Sequence, residues 1–139
     1  MIFQAFHLFP MLNVVENVSF PMELNGVERA EARTRAKVFL NSVGITDEKH
    51  RRFPSNLSGG EQQRVAIART MASGARVILA DEPTGNLDKE NGQNIVDILK
   101  VLAHENGYCV IIVTHDPAIA EQADQVYAMD DGRMTEARD

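Results

Sequence analysis

Five apolar residues stand side by side at Cys109-Val110-Ile111-Ile112-Val113, with no polar position among them. A strand exposed on one face alternates apolar and polar residues. A strand covered on both faces does not, and such strands belong to parallel sheets flanked by helices. Val77-Ile78-Leu79-Ala80 is a second run of this kind, and it ends on Asp81-Glu82. Between the two runs, Ile95, Ile98, Leu99 and Leu102 recur at helical spacing, and the segment closes near Gly107. Beyond them, Asp116-Pro117 offers an N-cap and a first-turn proline for another helix. Val126–Met129, Asp131-Gly132 and Arg133–Thr135 read as a closing hairpin. Residues 75–139 are therefore expected to form an α/β core with a mainly parallel sheet.

The preceding sequence has a different period. Residues 12–74 read as helical. Asn13, with Glu16 three residues later, resembles a capping box, and Pro21 is expected to end that short helix. Asn25-Gly26 marks a turn. Ala32, Ala36, Phe39, Leu40 and Val43 then follow at helical spacing, with Gly44 as a C-terminal stop. Asp47 begins a further short helix before Pro54. Residues 1–11 form a third zone, which opens abruptly on Met1-Ile2-Phe3. Chain ends are usually polar, so this start suggests sequence upstream of Met1.

Composition narrows the class. The net charge is −6, and Arg29, Arg33, Arg35 and Lys37 are interleaved with Glu28 and Glu31, so nucleic acid is not the expected partner. No apolar run approaches the ~20 residues of a membrane span, and no basic leader precedes Ile2-Phe3, so no direct membrane insertion is expected. The lone cysteine, Cys109, is expected to be a buried structural thiol.

Three segments carry chemistry. In Ser58-Gly59-Gly60-Glu61, Ser58 and Glu61 suit a reciprocal helix cap. The two glycines clear side chains from a helix N-terminus, where free N–H groups and partial positive charge favour phosphate. Asp81-Glu82 places two carboxylates at the C-terminal end of a buried strand, the edge at which open α/β sheets hold ligands. An Asp there suits Mg²⁺, and an adjacent Glu suits the orientation of an attacking water. His115 follows directly on the strand Cys109–Thr114; a histidine there is ordinarily structural or merely exposed. His7, His50 and His104 fall in no pattern.

Taken together and in this order, Leu57-Ser58-Gly59-Gly60-Glu61-Gln62, Val77-Ile78-Leu79-Ala80-Asp81-Glu82, Thr84-Gly85-Asn86-Leu87-Asp88 and Val113-Thr114-His115-Asp116 resemble the ATP-binding subunits of ABC transporters. The wording Pro-Thr-Gly-Asn-Leu-Asp is similar to bacterial exporters of the macrolide-efflux, lipoprotein-release and antimicrobial-peptide-resistance kind. The resemblance implies the C-terminal part of a P-loop NTPase (RecA-like) core plus a helical subdomain. It divides the chain into the end of the core sheet and Q-loop (1–11), the helical subdomain ending in the signature helix (12–74), and the C-terminal half of the core (75–139). It implies ATP and Mg²⁺ as ligands, with Asp81 and Gln4 toward the metal and Glu82, His115 and Gln4 catalytic. Ser58, Gly59, Gly60 and Glu61 would face a nucleotide held by a second subunit, and Asn86-Leu87-Asp88 would be the D-loop between them. Partners would be a second ATP-binding subunit and a transmembrane permease, with the chain at the inner face of the cell membrane. Phe6, Phe9 and Met11 suit either a partner-helix groove or core. No Gly-x-x-x-x-Gly-Lys-Ser/Thr occurs, so the phosphate loop, its strand and the N-terminal β-subdomain are expected upstream of Met1. A soluble non-transport ABC ATPase and a non-catalytic binding module are the alternatives.

Overall fold

The two apolar runs do form parallel strands, and their register places the acidic segment. The computed structural model describes residues 1–3 and 6–137. Along the chain come β1 (Ile2–Phe3), α1 (Val14–Leu24), α2 (Arg29–Ser42), α3 (Gly59–Ala72), β2 (Val77–Asp81), α4 (Lys89–His104), β3 (Cys109–Val113), α5 (Pro117–Ala120), β4 (Tyr127–Asp130) and β5 (Arg133–Glu136). One sheet has the order β1-β2-β3, parallel throughout. Asp81 is the register partner of Phe3 on one side and of Val113 on the other. The hairpin β4-β5 is a separate antiparallel pair, turned by Asp131 (φ 45°) and Gly132 (φ 75°), the two positive angles that a type I′ turn requires.

The helices gather around α3. It packs on α1, α2, α4 and β1, and it is buried on most of its circumference, through Val65, Ala66, Ile67, Ala68, Met71 and others. Its N-terminus is a capping box. Ser58 Oγ accepts from the Glu61 N–H at 3.2 Å, and Glu61 Oε1 accepts from the Ser58 N–H at 3.1 Å. Glu61 Oε2 also takes the Lys49 ammonium at 2.5 Å, which ties the 3₁₀ turn Asp47–Lys49 to the helix. Burial works against ionising this carboxyl, but Lys49 and the Ser58 donors overcome it and bring its pKa down to about 2.

Asn17 is the buried polar anchor of α1. Its Oδ1 accepts the Phe9 N–H at 2.8 Å, and its Nδ2 donates to the carbonyls of Phe9, Leu12 and Asn13 at 3.0–3.1 Å. The chain after β1 is thereby held against the helix it leads into. Asn13 and Glu16 form the expected capping box, each bond 2.9 Å.

Two expectations are corrected. Pro21 does not end α1, which runs on to Leu24. The proline forfeits only its own missing N–H, and the last turn is closed by Asn25, Gly26 and Val27 donating to Pro21, Met22 and Glu23 carbonyls. Nor is β3 covered on both faces. Ile78 and Ala80 are buried and Val110 and Ile112 half-buried on one face, whereas Val77, Leu79, Ile111 and Val113 on the other are 43–60% exposed. Cys109 lies on this open face and is exposed rather than buried, because none of the described residues covers that side of the strand.

Two outcomes follow. Exposed aliphatics beside an unpaired strand edge promote self-association. Ile111→Lys, which charges that face, should therefore lower the association seen by sedimentation without changing the far-UV spectrum. Glu61 has a depressed pKa, so its contribution to stability is complete above about 4.5 and is lost as pH falls through about 2. Lys49→Met should cost about 1–2 kcal/mol in urea unfolding at pH 7 and less at pH 2.

Candidate functional site

The register brings the chain segments after Asp81 and Val113 to the same sheet edge. Glu82 takes up the left-handed backbone conformation, φ 44°, as its N–H adds one more rung to the ladder, to the Val113 carbonyl at 2.8 Å. The chain then turns back, with the Gly85 N–H on the Glu82 carbonyl at 3.1 Å. This aims the Glu82 carboxylate at the end of β3. Oε1 accepts the His115 backbone N–H at 2.9 Å and lies 2.7 Å from the His115 Nδ1. Oε2 accepts the Thr114 hydroxyl at 3.3 Å.

The pair is electrostatically matched. The hydrogen bond to Glu82, and then its charge, raise the His115 pKa above the ordinary histidine value. A proton on Nδ1 makes that bond, which leaves Nε2 to serve a ligand. The His115 side chain is 88% exposed and the Glu82 side chain 23%, so the imidazole stands on the open side of the carboxylate. Three of the roughly four acceptor positions of a carboxylate are used here, which leaves room for one water proton.

Asp81 ends β2 with its side chain exposed. Gln4 lies outside the described residues. Among the described residues, no three of His, Cys, Asp and Glu come together as a metal cage. A single accessible carboxylate at a strand end fits Mg²⁺, which keeps waters and takes phosphate oxygens as further ligands. It does not fit a cation that needs an all-protein site.

The second group of residues sits at the start of α3. Ser58 and Glu61 are occupied with the cap described above. The glycines have a packing role beside the one expected of them. A Cβ on Gly59 would come 3.2 Å from Leu87 Cδ2 and 3.5 Å from Phe6 Cζ, and one on Gly60 would come 2.8 Å from Asn91 Oδ1. Asp88 caps α4, accepting the Asn91 N–H at 2.8 Å and the Asn91 side-chain amide at 3.0 Å; these bonds hold its carboxyl below its ordinary pKa. Leu87 and Asn91, on either side of Asp88, thus pack against Gly59 and Gly60, while Asn86 is exposed. Phe6 is half-buried and Phe9 and Met11 are exposed, so this trio is not core. His50 is buried against the Ile45 carbonyl at 2.8 Å, and His104 pairs with Asp124, both apart from these groups.

Two residues that sequence reasoning did not single out take part. Thr114 supplies the hydroxyl on Glu82, and Gln63 is a fully buried amide whose Nε2 donates to the Pro83 carbonyl at 2.6 Å. Gln63 had a signal in the sequence: it lies three residues past Gly60 and four before Ile67, on a buried helix face where a polar residue is unexpected.

The ABC transporter family matches residues 1–85. The chain is 48% identical over 135 residues to the macrolide export ATP-binding/permease protein MacB 2 of Aeromonas hydrophila, covering 97% of this chain and 21% of that protein. It is 45% identical over 136 residues to an uncharacterized ABC transporter ATP-binding protein of Mycobacterium tuberculosis, covering 98% of this chain and 54% of that one. Among solved structures, the ATP-binding cassette MJ0796, a dimer in a post-hydrolysis state bound to ADP and Pi, superposes with a TM-score of 0.82 at 38% identity. That match covers 99% of this chain and 62% of MJ0796. The chain thus spans about a fifth to about three-fifths of the length of these relatives. On its family match and the likeness of its fold to the α/β core of an ATP-binding cassette, the chain belongs to the ABC transporter family.

Proposed function

We propose that the chain is the part of an ABC transporter ATP-binding subunit that carries the water-activating groups and the signature helix, and that it drives a membrane partner. The observation that carries this reading is the Glu82 carboxylate held between Thr114 and His115 at the C-terminal edge of a parallel sheet. Phosphoryl transfer to water needs little covalent chemistry from a protein; it needs positioning and charge.

Each residue then has a task. Glu82 orients the attacking water through its remaining lone pair and takes up its proton. His115 fixes that carboxylate through Nδ1 and offers Nε2 to the γ-phosphate. Asp81, with Gln4, would hold Mg²⁺, which when bound neutralises charge on the phosphate oxygens. Ser58, Gly59, Gly60 and Glu61 serve a nucleotide on a second subunit, with Asn86-Leu87-Asp88 between the two sites. The dimeric state of MJ0796 supports that sharing, and the fused ATP-binding/permease form of the macrolide export relatives supports a membrane partner. No helix among the described residues is long and apolar enough to cross a membrane. The division into a helical subdomain at 12–74 and core segments at 1–11 and 75–139 would let the former meet that permease at the inner membrane face.

The 139 residues contain no Gly-x-x-x-x-Gly-Lys-Ser/Thr, the loop whose backbone N–H groups and Lys hold the phosphates. By itself the chain is therefore expected not to retain Mg-ATP in equilibrium dialysis, and low-micromolar retention would overturn that expectation. In a protein that also contains the phosphate loop, Glu82→Gln should abolish turnover and accumulate the ATP-bound dimer. Unchanged ATPase activity would remove Glu82 from its assigned role.

A further inference from the structure

The first turn of α3 is fastened to the segment that leaves Glu82. Gly59 packs on Leu87 and Gly60 on Asn91, and Gln63, one turn on, reaches the Pro83 carbonyl at 2.6 Å. Gln63 and Pro83 are both buried. Burying a primary amide is unfavourable unless its groups are bonded, and an apolar side chain of similar size would fill the same space without that cost. The bond from its Nε2 to the Pro83 carbonyl is one contact that favours an amide over an apolar side chain there. Pro83 directly follows Glu82, whose own N–H is fixed by the Val113 carbonyl at 2.8 Å. The turn that presents the carboxylate is thus held from the sheet on one side and from α3 on the other.

We propose that Gln63 is a positioning residue: from the signature helix it fixes the chain just after Glu82, so that the carboxylate meets Thr114 and His115 and keeps a set placement relative to residues 58–61. This rests on the reading of Glu82 given above. In that reading Glu82 serves the chain's own nucleotide and residues 58–61 serve the partner's. One buried amide then joins the two composite sites through a single subunit.

The His115 backbone amide reports directly on this, because its N–H is bonded to Glu82 Oε1 at 2.9 Å. In a ¹⁵N-labelled sample of the chain, Glu82→Ala sets the resonance position with that bond absent. Gln63→Met has similar volume and no donor, and Gln63→Asn is too short to reach Pro83; both should move the His115 amide in the same direction by a comparable displacement. Ile67→Val, a loss of buried volume one turn further along the same helix, should leave it in place. An unmoved His115 amide in a folded Gln63 variant, with the Glu82→Ala reference displaced, sinks this inference alone. Loss of fold in both Gln63 variants also overturns it, since the amide would then only prop the core. If Glu82→Ala itself leaves the resonance unmoved, the Glu82–His115 bond is absent, and the functional reading falls together with the inference.

Discussion

Asp81 stands opposite Val113 in a parallel ladder, and the candidate site depends on that register. A slip of one residue would reverse every side chain in β2. Leu79 would turn inward in place of Ile78, and Glu82 would lose its place opposite the end of β3. As built, the ladder runs one rung past the strand, through the Glu82 N–H and the Val113 carbonyl. The carboxylate that follows then meets Thr114 and His115, the residues that leave the neighbouring strand. The C-terminal strand ends of parallel sheets converge in this way without loops of special length.

If the register sets one half of the arrangement, α3 sets the other. A helix buried on most sides has few positions for polar residues, and those of α3 point to separate neighbours. Arg64 Nη1 reaches the Val43 and Gly44 carbonyls that end α2, at 3.4 and 3.3 Å. Arg69 Nη1 reaches the His7 carbonyl at 2.9 Å, and its guanidinium lies over the Phe9 ring. Glu61 takes Lys49, and Gln63 takes Pro83. The helix thus works as a hub, with apolar contacts supplying adhesion and single polar bonds supplying alignment.

Much of this was legible in the sequence, for identifiable reasons. Capping boxes at Asn13 and Ser58, the glycine stop at Gly44 and the Asp131-Gly132 turn are local chemistry and formed as expected. The strands carrying Asp81 and preceding His115 were evident from their uninterrupted apolar runs. What stayed hidden was tertiary. Consecutive apolar residues signal a strand suited to burial on both faces but do not say what covers it, and Cys109 turned out exposed. A proline reads as a helix end, although Pro21 is followed by another turn. The bond from Gln63 to Pro83 spans 20 positions in sequence, and no local pattern announces a contact of that reach.

The backbone angle of Glu82 has a consequence of its own. At φ 44° an L side chain is about 1 kcal/mol worse than glycine would be. The position best suited conformationally to glycine instead carries the carboxylate that His115 and Thr114 bind. Foldability and chemistry therefore pull in opposite directions at this one residue. Glycine there would relieve that strain but would forgo the hydrogen bonds between the carboxylate and Thr114 and His115, so the acid is held against the backbone's preference by those bonds and by its chemistry.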